Sequence, residues 1–182
     1  LMSVMGFLSH GTQDLYPTFL LQEVHFSPSL TAIIAVISML GGILGGTLGG
    51  HFSDRHGRRR TMIAAKLCVL LLIPLWIFSH GVPLIAAGGF LMQFMVQAAW
   101  GVIPAHINEL IPNKVRALLP GLAYQIGMII AAAAPYLEAV ATRHFSYAQA
   151  MGTVVAIVVV VGTIVIAAGP EAHHVAFGQD AE

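Results

Sequence analysis

The chain alternates apolar runs of about 20 residues with short polar breaks, and nothing else in it constrains the fold so strongly. A helix needs about 20 apolar residues to cross the hydrocarbon of a bilayer. On that ruler the sequence predicts an all-α membrane protein with six transmembrane helices near 1–22, 29–52, 61–79, 82–108, 118–141 and 147–168. The breaks are Glu23 to Pro28, Asp54 to Arg60, His80 to Pro83, Ile111 to Arg116 and Thr142 to Ser146. Charged residues make up 9% of the 182, against roughly 25% in soluble domains. Mean hydropathy is +0.83. This composition argues against a water-soluble enzyme.

Charge is as unevenly placed as it is scarce. Arg55, Arg58, Arg59, Arg60, Lys66, Lys114 and Arg116 fall on one side of the predicted bundle, and Arg143 alone on the other. Lys and Arg accumulate in short cytoplasmic loops, so both termini are expected in the cytoplasm of a multi-pass protein of the inner or plasma membrane. The formal net charge is zero, and no aromatics interleave with the arginines, so nothing recruits or stacks on nucleic acid. There is no phosphate loop, nucleotide fingerprint or nucleophile constellation; the chain reads as no enzyme, with no cofactor and an ion gradient as its energy source. His106 and Glu109 have ligand-like spacing, but a single copy argues against a metal site. The one cysteine, Cys68, lies in an apolar run and reads as packing.

The densest charge cluster, Gly50-His-Phe-Ser-Asp54-Arg55-His-Gly57-Arg58-Arg59-Arg60, joins the second and third runs. It resembles the signature loop of the major facilitator superfamily, Gly-x-x-x-Asp-Arg-x-Gly-Arg-Arg, at Gly50, Asp54, Arg55, Gly57, Arg58 and Arg59. Further along, Pro104, Glu109, Pro112 and Arg116 match the Pro-x-x-x-x-Glu-x-x-Pro-x-x-x-Arg segment that the superfamily carries after the fourth helix. The resemblance implies one half of a major facilitator fold, a three-plus-three inverted repeat. It further implies a cytoplasmic gate of Asp54, Arg58, Glu109 and Arg116, with Gly57 allowing a sharp turn. Arg59 and Arg60 have a second reading, as charges that merely orient the protein. A start within a helix and a short cytoplasmic tail, 170–182, favour the C-terminal half, with a missing N-terminal half as partner.

Polar groups are densest within the first run, at Ser9-His10-Gly11-Thr12-Gln13-Asp14-Leu15-Tyr16-Pro17-Thr18. Gly6, His10, Asp14 and Thr18 recur every four residues, which stacks them on one helical stripe. A lone charge at bilayer centre costs roughly 2.5–3.5 kcal/mol on insertion scales, so the stripe is expected to face water or a partner. Pro17 is expected to loosen the helix beside Asp14. The segment resembles the signature of sialate and monocarboxylate proton symporters, Asn-x-x-Ser/Thr-His-x-Ser/Thr-Gln-Asp-x-x-x-Thr, at Ser9, His10, Thr12, Gln13, Asp14 and Thr18; Gly6 stands where the signature has Asn. It implies that a small organic anion and a proton are carried together, with His10, Gln13, Asp14 and Thr18 along the pathway. An imidazole can change charge near neutral pH with Asp14 one turn away. A purely structural His-Asp pair is the other reading, and no span holds an arginine for the anion. Gln93 and Gln97 either line the cavity or bond helix to helix. Two other functions stay open: a sugar or polyol symporter, and a non-transporting fragment or assembly partner.

Packing signals complete the reading. Gly41, Gly42, Gly45, Gly46, Gly49 and Gly50 form two small-residue ladders that invite close helix approach, and Gly121, Ala123, Gly127 and Ala131 to Ala134 a second such face. Glu138 is expected at the outer membrane interface, with contact to the pathway as its second reading.

Overall fold

The computed structural model describes residues 1–170; the rest of the expected tail, with His173 and His174, lies outside the described residues. The described chain is helical throughout: α1 (Met2–Gln13), α2 (Tyr16–Gln22), α3 (Pro28–His56), α4 (Arg58–Ile77), α5 (Val82–Leu110), a 3-10 turn at Asn113–Val115, α6 (Leu119–Ala131), α7 (Ala134–Ala141) and α8 (Tyr147–Ala168). The helices α3, α4, α5, α8 and the pair α6 with α7 are long and apolar enough to cross a membrane. Leu71, Ile129, Ile157 and Ile164 are among many large apolar side chains left exposed. That much outward-facing hydrocarbon suits a lipid surround.

Helix ends follow local chemistry. Ser27 Oγ accepts from the Leu30 amide at 3.3 Å and Pro28 opens α3, an N-cap followed by the one residue that needs no donor there. Ser146 and Gln149 form a reciprocal capping box at the start of α8.

Two expectations about boundaries are corrected. The charged break 54–60 is not a loop: α3 runs to His56, α4 begins at Arg58, and only Gly57 separates them, at φ 95°. A residue without Cβ turns the chain there at no steric cost, so the arginines extend helices instead of interrupting them. The first and fifth predicted spans are each broken in two. Pro17 and Pro135 lack the N–H that would continue the ladder, and the breaks fall at residues 14–15 and 132–133.

The ladder Gly41, Gly45, Gly49 lies directly on α5. A Cβ at these positions would strike the Phe90, Phe94 and Ala98 backbones respectively, and one at Gly101 would strike Gly46. Of the second small-residue face, Gly127 meets Met2 and Ser3 and Ala131 meets Gly6, while Gly121 faces open space. α8 runs antiparallel to α1, with Val4 beside Gly162 and Gly11 beside Val155. Met5, Leu8, Met62, Val69, Trp76, Met92, Val96, Val155 and Val159 fill the core between these seams.

Candidate functional site

The polar run of α1 divides among three surroundings instead of forming one stripe. His10 Nδ1–H donates to Asp14 Oδ2 at 2.9 Å, and the two side chains remain 31% and 35% exposed. Gly6 does not join them. It is buried, and a Cβ there would come to 2.5 Å from the Ala131 Cβ. The position that carries Asn in the symporter signature is therefore a helix contact here, with no room for a side chain. Thr18 lies beyond the break, on α2, and is partly buried.

On the α5 side, hydroxyls and amides meet. Gln13 Nε2–H donates to Gln93 Oε1 at 3.0 Å, and Gln93 Nε2–H donates to the Thr12 carbonyl at 3.1 Å and Thr12 Oγ1 at 3.2 Å. With Gln97, Tyr16 and Ser38 these residues line a cleft of about 500 Å³ between α1, α2, α3 and α5. The structure thus brings Gln13, Gln93 and Gln97 together as expected, but His10 and Asp14 are not among the cleft's walls. Tyr16 and Ser38 are additions that the sequence reading passed over. Tyr16 donates to the Ile85 carbonyl at 3.2 Å and packs on Trp76; no spacing rule singles it out.

Two ionisable residues sit where they were not expected. Glu138, placed by its sequence position at the outer interface, is fully buried, with neither carboxylate oxygen hydrogen-bonded among the described residues. The break at 132–133 restarts the helix as α7 and directs its side chain at α1, where a Cβ on Gly11 would lie 3.2 Å from Glu138 Oε1. Lys66, counted with the loop arginines, is also fully buried, and among the described residues Nζ makes no hydrogen bond. Because α4 starts at Arg58, Lys66 lies roughly 12 Å along the helix at 1.5 Å per residue. Its ammonium packs against Gly162.

At the charged end of the bundle Ser53, Asp54 and Glu109 meet around one residue. Arg58 Nε and Nη2 both donate to Glu109, at 3.1 and 2.8 Å, a bidentate grip, while Nη1 donates to Asp54 at 2.5 Å and Ser53 Oγ at 2.6 Å. Arg116 donates to the Ile111 carbonyl at 3.0 Å, bracing the turn after α5. Arg59 donates to the Ala167 carbonyl at the C-terminus of α8, where a cation also complements the helix dipole. Arg55 is exposed, and a Cβ on Gly50 would meet open space, so neither is held by packing. Arg55, Arg59 and Arg60 border a second, open cavity of about 1160 Å³ between α3, α4 and α5.

Helices clad in exposed hydrocarbon, with polar and ionisable groups gathered in interior seams and at the helix ends, define an integral multi-pass membrane protein. The profile of the Major Facilitator Superfamily matches residues 2–179, and the chain belongs to that family. It is 32% identical over 152 residues to the carboxylic acid transporter protein homolog of Saccharomyces cerevisiae, covering 82% of this chain and 24% of that one. Identity to the probable 4-methylmuconolactone transporter of Cupriavidus pinatubonensis is 27% over 135 residues, 74% of this chain and 32% of that one. The crystal structure of a double-tryptophan mutant of XylE superposes with TM-score 0.70 at 19% identity, covering 94% of this chain and 44% of that one, which shows a common fold. The chain thus spans about a quarter of the length of the first of these curated relatives and about a third of the second.

Proposed function

We propose that the chain is one six-helix half of a transporter that carries a small organic anion together with a proton by alternating access, with both termini cytoplasmic in an inner or plasma membrane. The hydrogen-bonded His10–Asp14 pair carries this reading. It lies on a helix broken at membrane depth and remains one-third exposed, which suits groups that exchange protons with a wet cavity. A relative at 32% identity whose name specifies carboxylic acids supports the substrate class. With the arginines gathered at the ends of the spans, the anion rests on the His10 imidazolium, assisted by the Gln13 amide. The Arg58 knot with Asp54 and Glu109 is the gate that closes the cytoplasmic side, because such contacts hold in only one access state.

The test uses the intact protein in proteoliposomes with labelled lactate and N-acetylneuraminate as probes. An inwardly directed proton gradient drives accumulation of one of them, and His10→Ala and Asp14→Asn each abolish it. Accumulation that ignores the imposed gradient in wild type, or survives both substitutions, refutes the reading. A second reading draws on the amide-lined cleft: Gln13, Gln93 and Gln97 suit a neutral polyol or sugar, which would bind without regard to His10.

A further inference from the structure

Glu138 is the buried group that the proposed mechanism leaves unused. It is fully enclosed by this chain's own helices, so its burial needs no partner half. Both carboxylate oxygens lack a hydrogen-bond partner among the described residues. An isolated carboxylate in such surroundings costs far more than the neutral acid, and the group takes up a proton instead. The elements packed against it are α1 and α8. Next to it α8 presents Val154 and Val155, and from α1 the only ionisable groups on this side are Asp14, within electrostatic reach, and His10 bonded to Asp14. Gly11 provides the opening: its missing side chain lets Oε1 lie against the α1 backbone, and Asp14 stands three residues further on, a spacing that makes neighbours on a helix surface.

We propose that Glu138 is a second proton-binding site, storing a proton in the dry seam between α1, α7 and α8 and exchanging it with the exposed His10–Asp14 pair through Asp14. In the exchange, made when the breaks at 14–15 and 132–133 bring the two side chains together, the Glu138 O–H bond breaks and an Asp14 carboxylate oxygen takes the proton. Glu138 becomes the carboxylate and Asp14 the neutral acid. His10, released from its acceptor, can then turn its N–H to an anion; the reverse transfer restores the pair. This builds on the proton-coupled reading above, and it divides the labour: the exposed pair meets solvent and substrate, while the enclosed acid holds the proton out of water's reach.

Infrared spectroscopy of the intact protein in lipid vesicles reads the protonation directly, without any substrate. At neutral pH the wild type is expected to show a protonated carboxyl C=O band that E138Q lacks and that alkaline buffer removes. Asp14→Asn shifts the pH of that loss. Gly11→Ala, which sets a methyl group against Oε1, shifts the band's frequency with Glu138 itself intact, so the assignment survives if E138Q fails to fold. In the transport assay, E138Q loses gradient-driven accumulation of the probe but keeps exchange between equal pools. A band unchanged by E138Q or G11A, a titration indifferent to D14N, or wild-type accumulation in E138Q overturns the proposal. If wild type carries neither probe, the symport reading falls while the infrared result still decides the state of Glu138.

Discussion

Two seams of this molecule are built from glycine, and they use it differently. Between α3 and α5, Gly41, Gly45, Gly49 and Gly101 bring two unbroken 29-residue helices backbone to backbone. Around α1, Gly6, Gly127 and Gly11 also allow close approach, but two of the three spans that meet there are broken, α8 alone being continuous, and one glycine makes room for a buried carboxyl instead of a backbone. The first seam is packed backbone to backbone along its glycines, and its acids Asp54 and Glu109 lie at one end, joined through Arg58. The second has hinges and an acid with no fixed partner. Small residues alone therefore do not mark rigidity; the continuity of the helices that they join decides whether the contact is a weld or a bearing.

The largest expected effect breaks the weld. Gly45→Leu drives a side chain into the Phe94 carbonyl, beyond the ~1–3 kcal/mol typical of overpacking, and no monodisperse protein is expected on size exclusion in detergent. A folded G45L would show that α3 and α5 can separate. Smaller and more telling is a matched pair: Gly41→Ala is expected to cost about 1–3 kcal/mol, and Gly127→Ala less, because the broken α1 and the short α6 can shift to admit a methyl group. Equal thermal destabilisation of the two would erase the distinction between the seams. Pro135→Ala restores one N–H across the break, adding about 1 kcal/mol of stability while slowing transport. Faster transport at unchanged melting temperature would count against a hinge there. The smallest effect on stability belongs to Asp54→Lys, under about 1 kcal/mol because Asp54 is 60% exposed. That substitution is nevertheless expected to increase labelling of cysteines placed along the pathway from the cytoplasmic side, and unchanged labelling would remove Asp54 from the gate.

How much of this could be read from the sequence depended on whether local rules sufficed. Boundaries set by length and capping were legible: Pro28, Val82 and Tyr147 begin helices within a residue of expectation. The Arg58 partners were legible because Asp54 stands one turn away and Glu109 matches a family segment. Glu138 was not, because the predicted span 118–141 was taken as a single helix, whereas the break at 132–133 resets the rotational phase of everything after it. Lys66, within the predicted span 61–79, counts with the arginines of the charged end by sequence position alone; one glycine suffices to turn the chain, so the helix starts at Arg58 and carries the lysine further inside. The split between the His10–Asp14 side and the amide side of α1 is tertiary. It is set by which neighbour lies on which flank, and four-residue spacing holds no record of that.

The single-residue joint at Gly57 has a mechanical consequence. With no slack between α3 and α4, any tilt of the α3–α5 slab is passed at once to Arg58 and, through Arg59, to the far end of α8. Four helices are thus coupled at one end like spokes at a hub, and relative displacement is left to the two jointed spans, the one that carries the imidazole and the one that carries the enclosed acid.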